Sequence, residues 1–141
     1  MNKLLILMIA AFISIQSNAQ IGLWGITGKG GANGVGSIFK TDPSGNNLVE
    51  KFSFHDSTGC FKQETQYDDK IYSGLTLASN NFLYGTTNIG GVNNQGVIFK
   101  YDPYQNTYTK LFDFDSLTSG SYPYAALVQA SDGNLYGTTT K

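Results

Sequence analysis

Arginine is missing from this 141-residue chain: all nine basic residues are lysine. The planar fork that grips phosphate or guanine in two places is therefore unavailable. A formal charge of −1 offers no basic footprint either, so a nucleic-acid partner is excluded. One cysteine and one histidine make up the whole stock of soft ligands and strong nucleophiles. An intrachain disulfide is impossible, and a zinc site of ordinary ligand count is ruled out. Charged residues form only 13% of the chain, about half the usual ~25%. Disorder normally needs high net charge and few aromatics. Here aromatics reach 13%, beside 17 glycines, so the composition is that of turn-rich β structure.

Long apolar runs are also scarce, and the one present lies at the start. Lys3 precedes the apolar stretch Leu4 to Ile15, and Ser17-Asn18-Ala19 supplies a small-x-small cleavage signal. Residues 1–19 are expected to be a secretory signal peptide that forms a short helix, with the mature chain beginning at Gln20. Twelve apolar residues rise about 18 Å as a helix against a hydrocarbon core of about 30 Å. No membrane span is expected after cleavage, and the address is secreted or cell surface.

Self-comparison organises the rest. Trp24 to His55 aligns without a gap onto Tyr84 to Asp115 at an offset of 60, with 14 identities in 32 positions. Ser73 to Thr87 aligns with Ala125 to Thr139 at an offset of 52, with 8 identities in 15. Tandem units are expected over 24–83 and 84–135, with a truncated third over 136–141. The extra length of the first unit falls between His55 and Ser73.

Each unit reads as four short strands. Leu75 and Leu77, or Leu127, mark the first, and Asn80-Asn81 or Asp132-Gly133 is expected to form a two-residue turn with positive φ. The LYGTT run, Leu83 to Thr87 and Leu135 to Thr139, is the second. A glycine-rich loop leads to the third, Gly96 to Tyr101, where Val97, Phe99 and Tyr101 alternate with Ile98 and Lys100. Asp102-Pro103 and Asp42-Pro43 signal turns. The fourth strand is Tyr108 to Phe114, with Phe112 and Phe114 on one face and Asp113 facing outward. Trp24, Tyr84 and Tyr136 occupy equivalent positions and are expected to face a core. Four antiparallel strands per ~50 residues is the pattern of a β-propeller blade, which cannot bury both faces alone. The expected fold is all-β: one complete blade over Ser73 to Asp115 between two partial ones, an incomplete propeller.

These words, LYGTT, Gly90-Gly91 with Asn93, GVIFKYDP over Gly96 to Pro103, the LFDF run and the DGNLYGTT restart, resemble the GloVer tandem-repeat family of choice-of-anchor bacterial proteins. The order of words is also similar to kelch blades. The resemblance covers Trp24 to Lys141 and implies an exported bacterial repeat region, followed in a full-length chain by further repeats or an anchor domain. It implies no known activity.

Chemistry is sparse. Gly25 to Gly30 (GITGKG) lacks the spacing of a phosphate loop, and Lys29 aligns with Ile89. His55 and Cys60 share one polar connection without a scaffold to orient them as base and nucleophile. Glu64, Asp68 and Asp69 lack the order of a calcium loop. Asp42 and Asp102 belong to turns. No catalytic residue, metal ligand or cofactor site is expected. Strand direction places Asn80-Asn81 and Asp102-Pro103 at one end of the sheet. The glycine-rich loops and the longer connections lie at the other, where Asn33, Asn93 and Asn94 offer amides and Tyr122 and Tyr124 offer stacking surface. A glycan or cell-surface polymer fits such neutral groups. The expected function is a binding or structural module. The alternative is part of a propeller-type carbohydrate-active enzyme, hydrolase or lyase, with its catalytic residues in other blades.

Overall fold

A computed structural model of the chain describes residues 22–60 and 73–141. The expected signal peptide, with its helix, lies outside the described residues, as do Glu64, Asp68 and Asp69. The fold is all-β, and every strand pair is antiparallel. Among the described residues nine strands form three sheets: β1 (Leu23–Thr27), β2 (Ser37–Thr41) and β3 (Val49–Ser53); β4 (Thr76–Leu77), β5 (Leu83–Thr87), β6 (Val97–Asp102) and β7 (Thr107–Asp113); and β8 (Val128–Gln129) with β9 (Leu135–Tyr136). They are called sheets I, II and III below. A 3₁₀ turn, Asp56–Thr58, follows β3.

The repeat is visible in the hydrogen-bond ladders. Gly25 pairs with Phe39 and Ile26 with Ile38 in sheet I; Gly85 pairs with Phe99 and Thr86 with Ile98 in sheet II. Both sheets carry a bulge at the same point. Ile38 faces Phe52 while Phe39 faces Glu50, and Ile98 faces Phe112 while Phe99 faces Lys110. Lys51 and Leu111 are thus the extra residues that bend the fourth strand of each unit.

That bulge corrects the expected outward orientation of Asp113. Beyond Leu111 the alternation is reset, so Asp113 sits opposite Val97 on the buried side and forms an ion pair with Lys110 at 2.8 Å. The turns are corrected as well. Ala78 O accepts the Asn81 N–H at 2.9 Å and Ala78 N–H donates to Phe82 O at 3.0 Å, with a single positive φ at Asn81. Ala130 bonds Gly133 and Asn134 in the same way, with Gly133 at φ 85°. These are three-residue loops, a type I turn closed by one left-handed residue, in place of two-residue turns needing two.

Sheets I and II stack face to face through their apolar sides. The core is Ile38 and Phe54 from sheet I against Leu83, Val97, Phe99 and Tyr101 from sheet II, flanked by Trp24, Phe52 and Tyr108. Phe52 stacks on Tyr108 with ring centroids 4.2 Å apart, and Phe54 meets Phe99 edge-on at 5.3 Å. The far face of sheet II is covered in part by the third unit. Thr76 Oγ1 donates to Leu127 O, and Thr86 Oγ1 donates to Ala125 O at 3.2 Å. Phe114 is buried there, whereas Phe112 stays 42% exposed.

Position in the stack overrides repeat identity. The expected core role of Trp24, Tyr84 and Tyr136 holds at the edge of the core for Trp24 and is corrected for Tyr136. Trp24 tilts against Tyr101 at 5.7 Å, Tyr84 is only half-buried, and Tyr136 is 54% exposed with its hydroxyl on Asp132. Leu83, the neighbour of Tyr84, is the residue that β5 turns into the core.

Candidate functional site

Among the described residues, the glycine-rich loop between β5 and β6 meets parts of the longer connections at one end of the sheets. Between the first and second units, Cys60 N–H donates to Ile89 O at 2.9 Å and Gly91 N–H to Asp56 O at 2.7 Å. The start of the connection after β3, Asp56 to Cys60, therefore lies on the loop between β5 and β6. Gly90 makes this approach possible: a Cβ there would lie 2.7 Å from Cys60 N, and its φ of 80° suits glycine alone. His55 is exposed and shares a 3.1 Å contact between its Nδ1 and Ser57 Oγ, while Cys60 is buried.

Three of the expected site residues serve the loops themselves. Asn93 Nδ2 donates to Phe114 O at 3.0 Å, and Asn33 Nδ2 to Phe54 O at 2.9 Å, across the same 21-residue spacing. Asn94 takes φ 54° and its Oδ1 accepts the Gly90 N–H at 3.1 Å. A second brace repeats beside the first. Val92 N–H donates to Asp113 Oδ1 at 2.8 Å, and Ala32 N–H to Ser53 Oγ at 2.7 Å. Partial burial pushes the Asp113 carboxyl upward. The Lys110 hydrogen bond, the Val92 N–H and the Lys110 charge outweigh that and hold it below the ordinary carboxylate range.

Tyr122 and Tyr124 sit where the third unit joins this end. Tyr122 has φ 57°, its N–H donates to Gln95 O at 3.0 Å, and its ring lies 5.7 Å from Lys141 Nζ. Tyr124 is 37% exposed. Close by are groups the sequence did not single out. Asn88 Oδ1, Gln95 Oε1 and Ser121 Oγ are buried without a hydrogen-bond partner among the described residues. Pro123 packs against Gly96, next to Gln95, and a Cβ on Gly96 would also meet Asn88 within 3.2 Å. These oxygens thus belong to one region. The signal that finds them is departure from the repeat: Asn88 and Gln95 align with Gly28 and Val35, which bring no side-chain oxygen. Buried oxygens of this kind normally accept hydrogen bonds, from protein or from a bound molecule.

The opposite, tight-turn end is different in kind. Asp42 Oδ1 accepts the N–H groups of Ser44 and Asn46, each at 2.9 Å, and Asp102 Oδ1 accepts those of Tyr104 and Gln105 at 2.8 and 3.0 Å. Their carboxylates are committed to the turns. A cavity of about 670 Å³ opens near this end between sheets I and II, against Leu23, Trp24 and Leu77. Among the described residues no group of three or more His, Cys, Asp or Glu side chains is placed to hold a metal ion. No helix of the described residues is long and apolar enough to cross a membrane.

No curated protein and no solved structure matches the chain. The model of one family does match, over residues 13–141, and it describes the Gloeobacter/Verrucomicrobia repeat. The match takes in both aligned units and the LYGTT restart of the third, and with the paired ladders, bulges and loop braces on the page, the chain belongs to the Gloeobacter/Verrucomicrobia repeat family.

Proposed function

We propose that this chain is an exported repeat module of the bacterial cell surface, built as blades of a β-propeller, which works without catalysis and makes weak contact with a glycan or surface polymer. Sheet II is a four-stranded antiparallel sheet that packs face to face on the three-stranded sheet I, an arrangement that blades share. The signal-peptide pattern expected at residues 1–19 supports the address.

The observation that carries the binding reading is the chemistry of the long-loop end. Asn88 Oδ1, Gln95 Oε1 and Ser121 Oγ are acceptors without partners among the described residues, next to the loop that presents Tyr122 and Tyr124. Neutral acceptors beside aromatic rings suit hydroxyl-rich rings better than anions. Asn33, Asn93 and Asn94 support that face by holding its loops and are positioning residues. A glycan array probed with the exported chain tests the reading. Binding that falls at least tenfold in Gln95→Leu and Tyr124→Ala supports it; no binding, or binding indifferent to both substitutions, overturns it.

A further inference from the structure

Asn33 is the one asparagine of the chain that a glycine follows. Through the offset of 60 its equivalent in the next unit is Asn93, followed by Asn94, so the repeat supplies its own control. Both loops carry the same brace to a carbonyl 21 residues on, and they differ in the residue behind the braced asparagine. Gly34 and Asn94 share a left-handed backbone, at φ 76° and 54°. Asparagine tolerates that conformation, and the Asn94 side chain uses it to accept the Gly90 N–H at 3.1 Å. Gly34 has no side chain with which to anchor itself.

That difference bears on the chemistry of the asparagine before it, a labile residue in its own right. The backbone nitrogen of the next residue can close a five-membered ring on an asparagine Cγ. What opposes closure is the bulk of the next side chain and a backbone that will not rotate into line. Glycine removes the bulk and widens the range of φ. Among the described residues nothing lies within 4 Å of the place a Gly34 Cβ would take, and Ala32, Asn33 and Gly34 are all exposed. Two hydrogen bonds resist the reaction. Asn33 Nδ2 donates to Phe54 O at 2.9 Å, and Gly34 N–H to Gly31 O at 3.2 Å. A bond of this kind lowers the free population of its donor only about fivefold, which slows the approach without preventing it.

We infer that Asn33 is a site of self-modification by deamidation, with water as the co-reactant. The Gly34 nitrogen gives its proton to solvent base and attacks Asn33 Cγ. A new N–C bond closes the succinimide ring as the Cγ–Nδ2 bond breaks, and Nδ2 takes a proton from water and leaves as ammonia. Water then adds to either ring carbonyl and breaks its bond to the ring nitrogen, which regains a proton, so that aspartate or isoaspartate stands at position 33. Nothing is oxidised or reduced. Either product puts an ionised carboxylate, an acceptor only, where an amide donated to Phe54 O. The glycine-rich loop of the first unit loses its brace, while Asn93 keeps that of the second.

The purified folded chain, incubated in mildly alkaline buffer made with heavy-oxygen water, is digested and mapped by mass spectrometry. Asn33 should convert at least tenfold faster than Asn93 in the same sample, its product should carry heavy oxygen, and the rate should rise with pH as the attacking nitrogen loses its proton more readily. Gly34→Asn, which installs the second unit's own residue in the same left-handed place, should slow conversion at Asn33 at least tenfold. A rate at Asn33 no higher than at Asn93, or one indifferent to Gly34→Asn, overturns the site. The converted chain gains a negative charge and separates from the fresh chain on anion exchange. Its urea midpoint should fall to that of Asn33→Asp; a midpoint equal to that of the fresh chain overturns the loss of the brace.

Discussion

Asn93 Nδ2 donates to the carbonyl oxygen of Phe114 at 3.0 Å, tying the glycine-rich loop to the end of the strand that follows it. Asn33 makes the same bond to Phe54 at 2.9 Å. Removing either amide leaves a partly buried carbonyl without its donor, at a cost of about 1–2 kcal/mol. Asn93→Ala and Asn33→Ala should each lower stability by that amount in urea denaturation, and the double variant by roughly the sum, because the two bonds share no partner.

Burial along the stack sets a gradient at the repeated phenylalanines. Phe54 is fully buried and touches Phe99 and Tyr108, whereas Phe112 is 42% exposed. Phe54→Ala should cost about 3–5 kcal/mol. Phe112→Ala should cost about 1 kcal/mol or less. Thermal unfolding of the two variants checks the order, with Phe54→Leu as a milder substitution should the alanine variant fail to accumulate.

Gly85 is paired with Phe99 across the ladder, and a Cβ added to it would lie 2.6 Å from the far end of that buried ring. Gly85→Ala should therefore destabilise by about 1–3 kcal/mol through overpacking. The penalty should shrink when Phe99→Leu is already present, and a double-mutant cycle measures the coupling. Gly25 lies under Phe39 in the same way, with 2.4 Å to its ring, and predicts the same sign of coupling.

Asp113 makes stability depend on acid pH. Its folded carboxyl titrates below the ordinary range, so it stabilises the fold above the unfolded value of about 3.9 and loses that contribution as pH falls through the folded value. The urea midpoint should drop between about pH 5 and about pH 2, less steeply in Asp113→Asn. Asp42 and Asp132, also lowered by hydrogen bonds at their turns, leave a residual slope in that variant.

Strand order within a unit was legible in the sequence because it depends on local chemistry. LYGTT marked β5 to the residue, and the alternation Val97, Phe99, Tyr101 marked the buried side of β6. The gathering of long loops at one end follows from antiparallel direction alone. What escaped was whatever depends on two units meeting. The bulge that turns Asp113 inward is a ladder property, invisible in a strand read singly. Asn33 and Asn93 read as surface amides, because the carbonyls they hold lie 21 residues away.

The same word also has different fates at different places in the stack. Ile38 and Ile98 are equivalent, as are Phe39 and Phe99, yet Ile38 and Phe99 are fully buried while Ile98 and Phe39 are only half-buried. Sequence by itself determined the unit: its strands, the places where the chain turns and its two apolar faces. Tertiary structure decided which face of which unit is covered, because hydrophobic burial is a property of the neighbouring sheet, and that neighbour is not written in the residue it covers.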